Sequence, residues 1–289
     1  MSNHIAFIGV GNMGNPMAQQ LVKAGQNVKV FDVSPDVIEI AKQSGLNVIS
    51  SMEELLQGAT TVISMLPEGK HVRSLYLGEN GILKKISKSS LIIDCSTIDI
   101  ETSNFLHNEA RKNKLLSLDA PVSGGTIGAE NQSLTFMVGG SEEAYKLALR
   151  LFNKMGNKSI HCGKNGSGQA VKMCNNLLLA STMSSLGEVI QIATKLQLNK
   201  EKLFDVISTS TGSCWALNNY CPIEGVGPIS PADNKFKPGF SSNLMLKDLL
   251  IAYEASKGLN LELAEIVINK YQKAVKEGKG HLDFSSIVN

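Results

Sequence analysis

The first spacing that can do chemistry lies within ten residues of the start. Ile5-Ala6-Phe7-Ile8-Gly9-Val10-Gly11-Asn12-Met13-Gly14 sets G-x-G-x-x-G directly behind an apolar run, and a helical pattern follows. Gly9 suits a tight turn, Gly11 lets backbone approach a pyrophosphate, and Gly14 lets a helix pack closely on a strand. The helix N-terminus offers N–H groups and a positive dipole end to phosphates. Glycines at strand–helix turns also occur as plain turns, so the surroundings decide. A second apolar run ends in Asp32, near the offset of an acid that binds a ribose 2′-OH. Such a carboxylate repels a 2′-phosphate and so favours NAD over NADP; the competing reading is a turn cap before Ser34. Leu66-Pro67 and Ser96-Thr97 each follow an apolar run. Ligands of open α/β sheets bind beyond the carboxyl ends of strands, so Leu66, Pro67 and Thr97 are expected to border the cofactor, unless they are ordinary strand ends.

Two further stretches suit a small acid. Asp119-Ala-Pro-Val-Ser123-Gly124-Gly125-Thr126 follows another apolar run. Its Ser-Gly-Gly core can present several backbone N–H groups and a hydroxyl to a carboxylate, or it can be a glycine turn with a local serine cap. Gly166-Ser-Gly168-Gln-Ala-Val-Lys172-Met-Cys-Asn175-Asn176 opens a long helical pattern. Lys172 and Asn176 stand four apart and share a helix face whose other members are largely apolar. An inward-facing lysine at a domain junction loses solvation, which lowers its pKa toward that of a base for an alcohol proton. A second nearby cation, such as Lys247 or an oxidised nicotinamide ring, would lower it further. The competing reading is a solvated lysine in the first turns of a helix.

These residues need a scaffold, and the chain is long enough for one. Its 289 residues are 43% hydrophobic and 19% charged, the balance of a globular protein. The formal net charge of +2 gives no basic field for nucleic acid. In the first half, apolar runs at Ile5–Ile8, Val28–Phe31, Val62–Met65, Leu91–Asp94, Leu116–Asp119 and Leu134–Val138 read as strands. Helical patterns at Met13–Ala24, Pro35–Gln43, Met52–Leu56 and Ile100–Lys112 alternate with them. That alternation predicts a mostly parallel sheet of Rossmann type with helices on both faces. Ser34-Pro35 reads as a helix start, Gly25 and Gly45 as helix ends, and Ser51 with Glu54 as a capping box.

Past the Gly/Lys/Asn/Ser stretch at Gly163–Gly168 the pattern turns helical: about Gln169–Leu196, then Lys200–Thr209, Asn243–Ser256 and Leu261–Glu277. The proline-rich segment Cys214–Phe240 is expected to be an ordered loop. The chain thus reads as an α/β dinucleotide-binding domain over 1–163 and an all-α substrate and dimerisation domain over 164–289. The long helix suggests a homodimer or homotetramer. No apolar run is expected to span a membrane. Five cysteines without a C-x-x-C pair argue against a zinc ribbon or disulfide framework and for a reducing compartment. With the first strand beginning almost at Met1, a cytoplasmic location is expected, or the mitochondrial matrix if a transit peptide has been removed. The histidines, His4, His71, His107, His161 and His281, are scattered and are expected mostly at the surface, and Cys174 is expected to be packed.

Taken together, the glycine fingerprint with Pro16-Met17-Ala18, the Asp119–Gly125 block, the Gly168-x-x-x-Lys172-x-x-x-Asn176 block and Leu246-Lys247-Asp248 resemble the β-hydroxyacid dehydrogenase family. The resemblance covers nearly the whole chain. Gly212-Ser-Cys214-Trp215, Tyr220-x-Pro222 and Gly225-Val226 resemble its 3-hydroxyisobutyrate branch. The resemblance implies NAD as cofactor, Lys172 as the acid/base, and Ser123, Gly124 and Gly125 on the substrate carboxylate. It also implies Asn176 and Asn175 orienting the substrate or Lys172, with Trp215 at the substrate. Lys247 would border both substrate and nicotinamide, with Asp248 positioning it. No metal is implied. The implied reaction is NAD-dependent oxidation of 3-hydroxyisobutyrate to methylmalonate semialdehyde, a step of valine catabolism. The alternatives are reduction of tartronate or succinic semialdehyde, and a catalytically silent NAD-binding module. One departure is Asn165, where the strict family motif has glycine; Gly166 beside it is expected to take that turn instead.

Overall fold

A computed structural model describes residues 3–288, and the chain divides into two compact units, Met1–Lys172 and Met173–Asn289. Among the described residues the first unit holds nine strands: β1 (His4–Ile8), β2 (Val28–Phe31), β3 (Asn47–Val48), β4 (Ala59–Ser64), β5 (Leu91–Asp94), β6 (Leu116–Asp119), β7 (Val122–Ser123), β8 (Leu134–Gly140) and β9 (Gly156–Gly163). They form one sheet in the order β3-β2-β1-β4-β5-β6-β8-β7, with β9 paired to β8. From β3 to β6 all neighbours are parallel; β6–β8 and β7–β8 are antiparallel, and β8–β9 is parallel again. The switch point lies at β1, where the chain order reverses between β2 and β4, and open α/β sheets bind ligands beside such a point.

The central strands are buried on both faces, as helices on each side require. Ile5 and Phe7 of β1 join one core with Met17, Leu21, Ile63 and Ile93. Ala6 and Ile8, one residue out of phase, join the opposite core with Val62, Tyr76 and Ile92. The helix Gly14–Lys23 covers the first face, and the helices Gly69–Leu77 and Ile100–Lys112 pack together toward the second.

Several expectations need correction. The fourth strand starts at Ala59 and ends at Ser64, earlier than the Val62–Met65 run suggests. The short β3 and β7 were not foreseen, and neither was β9, a mostly polar, partly exposed edge strand. The helices Gly69–Leu77, Gly125–Glu130 and Glu142–Met155 were likewise unread. Ser51 accepts from the Glu54 backbone N–H at 3.4 Å, but its hydroxyl meets Glu53 rather than completing a reciprocal box. Ser34 stands at the N-cap before Pro35 without a side-chain cap bond.

The second unit is helical: Lys200–Ser208, Trp215–Asn218, Ser242–Ala255 and Glu262–Lys276, with most of the long helix Ser167–Lys195. Its core gathers Ala180 and Met183 of the long helix with Met245, Leu249, Val267 and Tyr271. The Cys214–Phe240 segment is ordered, with the short helix Trp215–Asn218 and a 3-10 turn Pro231–Asn234 inside it. One correction concerns membranes: by length and composition alone, Ser167–Lys195 could cross one. It carries Lys172, Asn175, Asn176 and Glu188 along its length, and part of it lies in the core of the helical unit, so it reads as a core helix.

Candidate active site

The glycine loop is built as its spacing requires. Gly9 sits at φ +87°, and a Cβ there would lie 2.4 Å from the Met65 carbonyl. A Cβ on Gly14 would lie 1.9 Å from the Gly9 carbonyl oxygen, so strand and helix touch there. Gly11 differs: its missing Cβ faces open space, and its φ is not among the positive ones. Neither protein packing nor backbone strain demands glycine at Gly11, whereas a close-lying phosphate group does. The helix Gly14–Lys23 has no side-chain N-cap and no acid in its first turn, which leaves its positive end to an anion. These features fit a dinucleotide.

Asp32, just past β2, does two jobs. Its Oδ1 accepts from the Val33 and Ser34 backbone N–H groups at 2.8 and 3.0 Å, the turn-capping role. Its Oδ2 accepts from the Val10 N–H at 2.9 Å and so ties the end of β2 to the glycine loop. A cleft of about 410 Å³ is lined by Val10, Gly11 and Asn12 together with Gln19, Lys23 and Ile40, but not by Asp32, Leu66 or Thr97. It does not by itself mark the cofactor position.

The turns after β4 and β5 are joined. Ser96 Oγ accepts from the Leu66 N–H at 2.8 Å and donates to Asp94 Oδ1 at 2.6 Å. Ser64 donates to the same oxygen at 2.7 Å, and the Tyr76 hydroxyl donates to Ser64 at 2.9 Å. Asp94 is fully buried, and desolvation, opposed by the serine hydrogen bonds and assisted by the charge of Asp119, pushes its pKa up to about 6.

Ser123 closes β7, and Gly124 and Gly125 follow at φ +134° and +63°. Nothing lies near a Cβ on Gly125, and Gly124 is exposed, so the Ser-Gly-Gly corner is open to solvent. In the same unit Lys172 is buried at 9% exposure, against the reading of a solvated surface lysine. Gly166 takes the turn before its helix at φ +80°, as the Asn165 departure suggested. In the helical unit, Asn176 donates to Asp248 Oδ2 at 2.6 Å and accepts from Asn175 at 2.9 Å. Lys247 pairs with Asp248 Oδ1 at 3.2 Å. Trp215, half exposed, stacks on Tyr220 at 5.4 Å, and Tyr220 donates to the buried Asp283 at 2.9 Å.

Some functional-looking residues escaped the sequence. His4 and His107 are buried, contrary to expectation: His4 meets the Leu55 carbonyl, and His107 bridges Ser117 and Asp119 at 2.7 and 2.9 Å. Cys174 is exposed rather than packed. Tyr253 and Lys257 have the Tyr-x-x-x-Lys spacing of another dehydrogenase class, but both are engaged at the surface, with Glu265 and Glu254.

Comparison with known proteins adds the family. Residues 4–163 match the NAD binding domain of 6-phosphogluconate dehydrogenase, and residues 166–289 match the family described as NAD-binding of NADP-dependent 3-hydroxyisobutyrate dehydrogenase. A probable 3-hydroxyisobutyrate dehydrogenase of Mycobacterium tuberculosis is 42% identical, over 99% of this chain and 96% of its own length. The mitochondrial 3-hydroxyisobutyrate dehydrogenase of Mus musculus is 39% identical, over 98% and 85%. A solved structure of Mycobacterium tuberculosis 3-hydroxyisobutyrate dehydrogenase with L-serine superposes with a TM-score of 0.90, covering 100% of this chain and 98% of that one. A Rossmann-type nucleotide unit, a helical second unit and these full-length likenesses make the chain a member of the β-hydroxyacid dehydrogenase family, among its 3-hydroxyisobutyrate dehydrogenases.

Proposed function

We propose that the chain oxidises 3-hydroxyisobutyrate to methylmalonate semialdehyde with NAD, a step of valine breakdown. The observation that carries this reading is a buried lysine, Lys172, one helical turn from the buried amide of Asn176. Bound nicotinamide supplies the hydride acceptor. Ser123 and the backbone of Gly124 and Gly125 hold the substrate carboxylate. Lys172 takes the hydroxyl proton as the carbinol C–H bond breaks, so two electrons and one proton leave as hydride and a second proton passes to the amine. Asn176, with Asn175, orients the substrate or Lys172, Lys247 borders the reacting end with Asp248 as its partner, and Trp215 lines the substrate side. The carbinol is primary, so the product is an aldehyde, a 3-oxo acid.

NAD over NADP is supported by the Asp32 carboxylate beside the loop and by Val33-Ser34 after it, neither of which is a cation that could receive a 2′-phosphate. The relative solved with L-serine is a protein holding a small 3-hydroxy acid with a primary carbinol, which supports the substrate class. Self-association through the helical unit is supported by exposed apolar side chains at Leu178, Ile192, Leu196, Val206, Leu263 and Ile266. The location we infer is cytoplasm or mitochondrial matrix, a reading supported by one relative from a bacterium and one named as mitochondrial. The test is cofactor reduction at 340 nm with 3-hydroxyisobutyrate, L-serine, glycerate and 4-hydroxybutyrate under NAD and under NADP. Highest kcat/KM for 3-hydroxyisobutyrate with NAD is expected. A preference for glycerate or 4-hydroxybutyrate would move the chain to a semialdehyde reductase, and NAD binding without any turnover would make it a binding module.

A further inference from the structure

Gln169 lies in the first turn of the helix that carries Lys172, and it is completely buried. Its carboxamide brackets one residue of the turn beyond β5. Nε2 donates to the Ser96 carbonyl at 2.7 Å, and Oε1 accepts from the Ile98 N–H at 3.1 Å. Between those two contacts stands Thr97, the residue expected against the cofactor. The amide thus clasps the backbone of the 96–98 turn on either side of Thr97, and both its donor and its acceptor sides are used.

The helix start is fixed from the other side as well. Asp119, at the end of β6, accepts from the Gly166 N–H at 2.8 Å and from the Gln169 N–H at 3.0 Å, while its Oδ1 also meets His107. A Cβ on Gly168 would lie 2.3 Å from the Met137 carbonyl, so this turn is pressed onto β8. Ser96 in turn receives the Leu66 N–H. One hydrogen-bonded path therefore runs from the turn after β4, through Ser96, to Gln169, three residues before Lys172. Asp119 caps the helix, and Gln169 ties it to the 96–98 turn.

We propose that Gln169 is a positioning residue for hydride transfer, setting where the Lys172 helix stands relative to the cofactor-bordering turn. The proposal rests on the reading of Lys172 as the acid/base. A loose base costs rate more than affinity, because a misplacement of about an ångström can cost on the order of a hundredfold.

The test compares Gln169→Leu and Gln169→Glu with the parent and with Lys172→Ala. The readouts are NAD affinity by fluorescence titration, single-turnover NADH formation, and the primary deuterium isotope effect with carbinol-deuterated 3-hydroxyisobutyrate. For Gln169→Leu, single-turnover rate should fall about tenfold to hundredfold. NAD affinity and KM should stay within about threefold, and the isotope effect should rise as chemistry becomes more limiting. Gln169→Glu keeps the acceptor for Ile98 and loses the donor to Ser96, so its rate should fall between the two. A merely structural role would lower the melting temperature and leave the isotope effect of the folded fraction unchanged; that result overturns the proposal, as does a loss confined to NAD affinity. If Gln169→Leu does not fold, Gln169→Glu decides by the same criteria. If Lys172→Ala keeps turnover, the acid/base reading fails instead; if it abolishes turnover while both Gln169 variants match the parent, only the present proposal fails.

Discussion

Lys172 has the most exposed claim to test, because burying a lysine without a chemical use costs free energy. Lys172→Ala should lower kcat by about a hundredfold to ten-thousandfold, the usual worth of a positioned acid/base, with NAD affinity nearly intact. Retained turnover in stopped assays would remove the lysine from the mechanism. Asp32 makes a different claim. Its oxygens hold Val10, Val33 and Ser34 N–H groups, so it is both a turn cap and a charge beside the loop. Asp32→Asn keeps the shape and removes the charge. The NAD:NADP ratio of kcat/KM should fall at least about tenfold, because a like charge facing a 2′-phosphate is repulsive. Some loss of melting temperature should accompany it, since an amide cannot accept on both sides. An unchanged ratio would leave Asp32 a cap alone. Ser123→Ala should raise KM for the acid about tenfold through one lost bond to a charged group, with kcat little changed. An effect seen only in NAD titrations would move Ser123 to the cofactor side.

At the scale of elements, the buried Asp94 links the turns after β4 and β5 through Ser64 and Ser96. Its folded pKa, about 6, stands above the ordinary 3.8, so the folded state holds this proton more tightly than the unfolded chain does. Below about pH 4 both states are protonated and the group costs nothing. As pH rises toward 6 the unfolded carboxyl ionises first, and stability falls, by up to ~3 kcal/mol, before levelling off. Asp94→Asn keeps an oxygen for the two serines and cannot ionise. The difference in urea midpoint between variant and parent should therefore grow in the variant's favour from pH 4.5 to pH 7; a difference constant with pH would show that folding does not raise the Asp94 pKa. The same elements show what was legible in the sequence. Strands such as β1 and β5 were readable because burial on both faces makes them continuous apolar runs. The glycine loop was readable because each spacing carries its own steric demand. β9 was not, since its start, Gly156-Asn157-Lys158-Ser159, is polar, with Asn157 and Lys158 exposed, and so looks like loop. The helix Glu142–Met155 had the signal: Ser141 caps Ala144, and Ala144, Ala148, Leu151 and Met155 recur on one buried face. The clasp of Gln169 on Ser96 and Ile98 had none, because partners more than seventy residues apart leave no local period.

For the whole molecule, the helical unit presents apolar surface that its own core does not use. Ile192 and Leu196 stand one turn apart near the end of the long helix, at 59% and 61% exposure, and Leu263 and Ile266 share a face of Glu262–Lys276. Scattered surface leucines need no explanation, but repeated pairs at helical spacing form stripes, and stripes of that kind are what a second helix packs against. A self-complementary contact between two copies is the simplest occupant, since it needs no other protein and closes with two-fold symmetry. Such an interface must bury roughly 1,000 Å² or more to hold, so two charges placed in one stripe should break it. Ile192→Glu with Leu196→Lys, exposed residues in the last turn of the long helix and just past its end, should leave the helical content and the nucleotide unit intact. Light scattering at micromolar concentration should then read about half the parent's mass for a dimer, or a smaller assembly for a tetramer. NAD affinity should be unchanged, because the glycine loop and Asp32 belong to the other unit. A parent that already runs at the mass of one chain would refute self-association outright. A variant with the parent's mass would place the contact on another face, with Leu263 and Ile266 the next pair to charge.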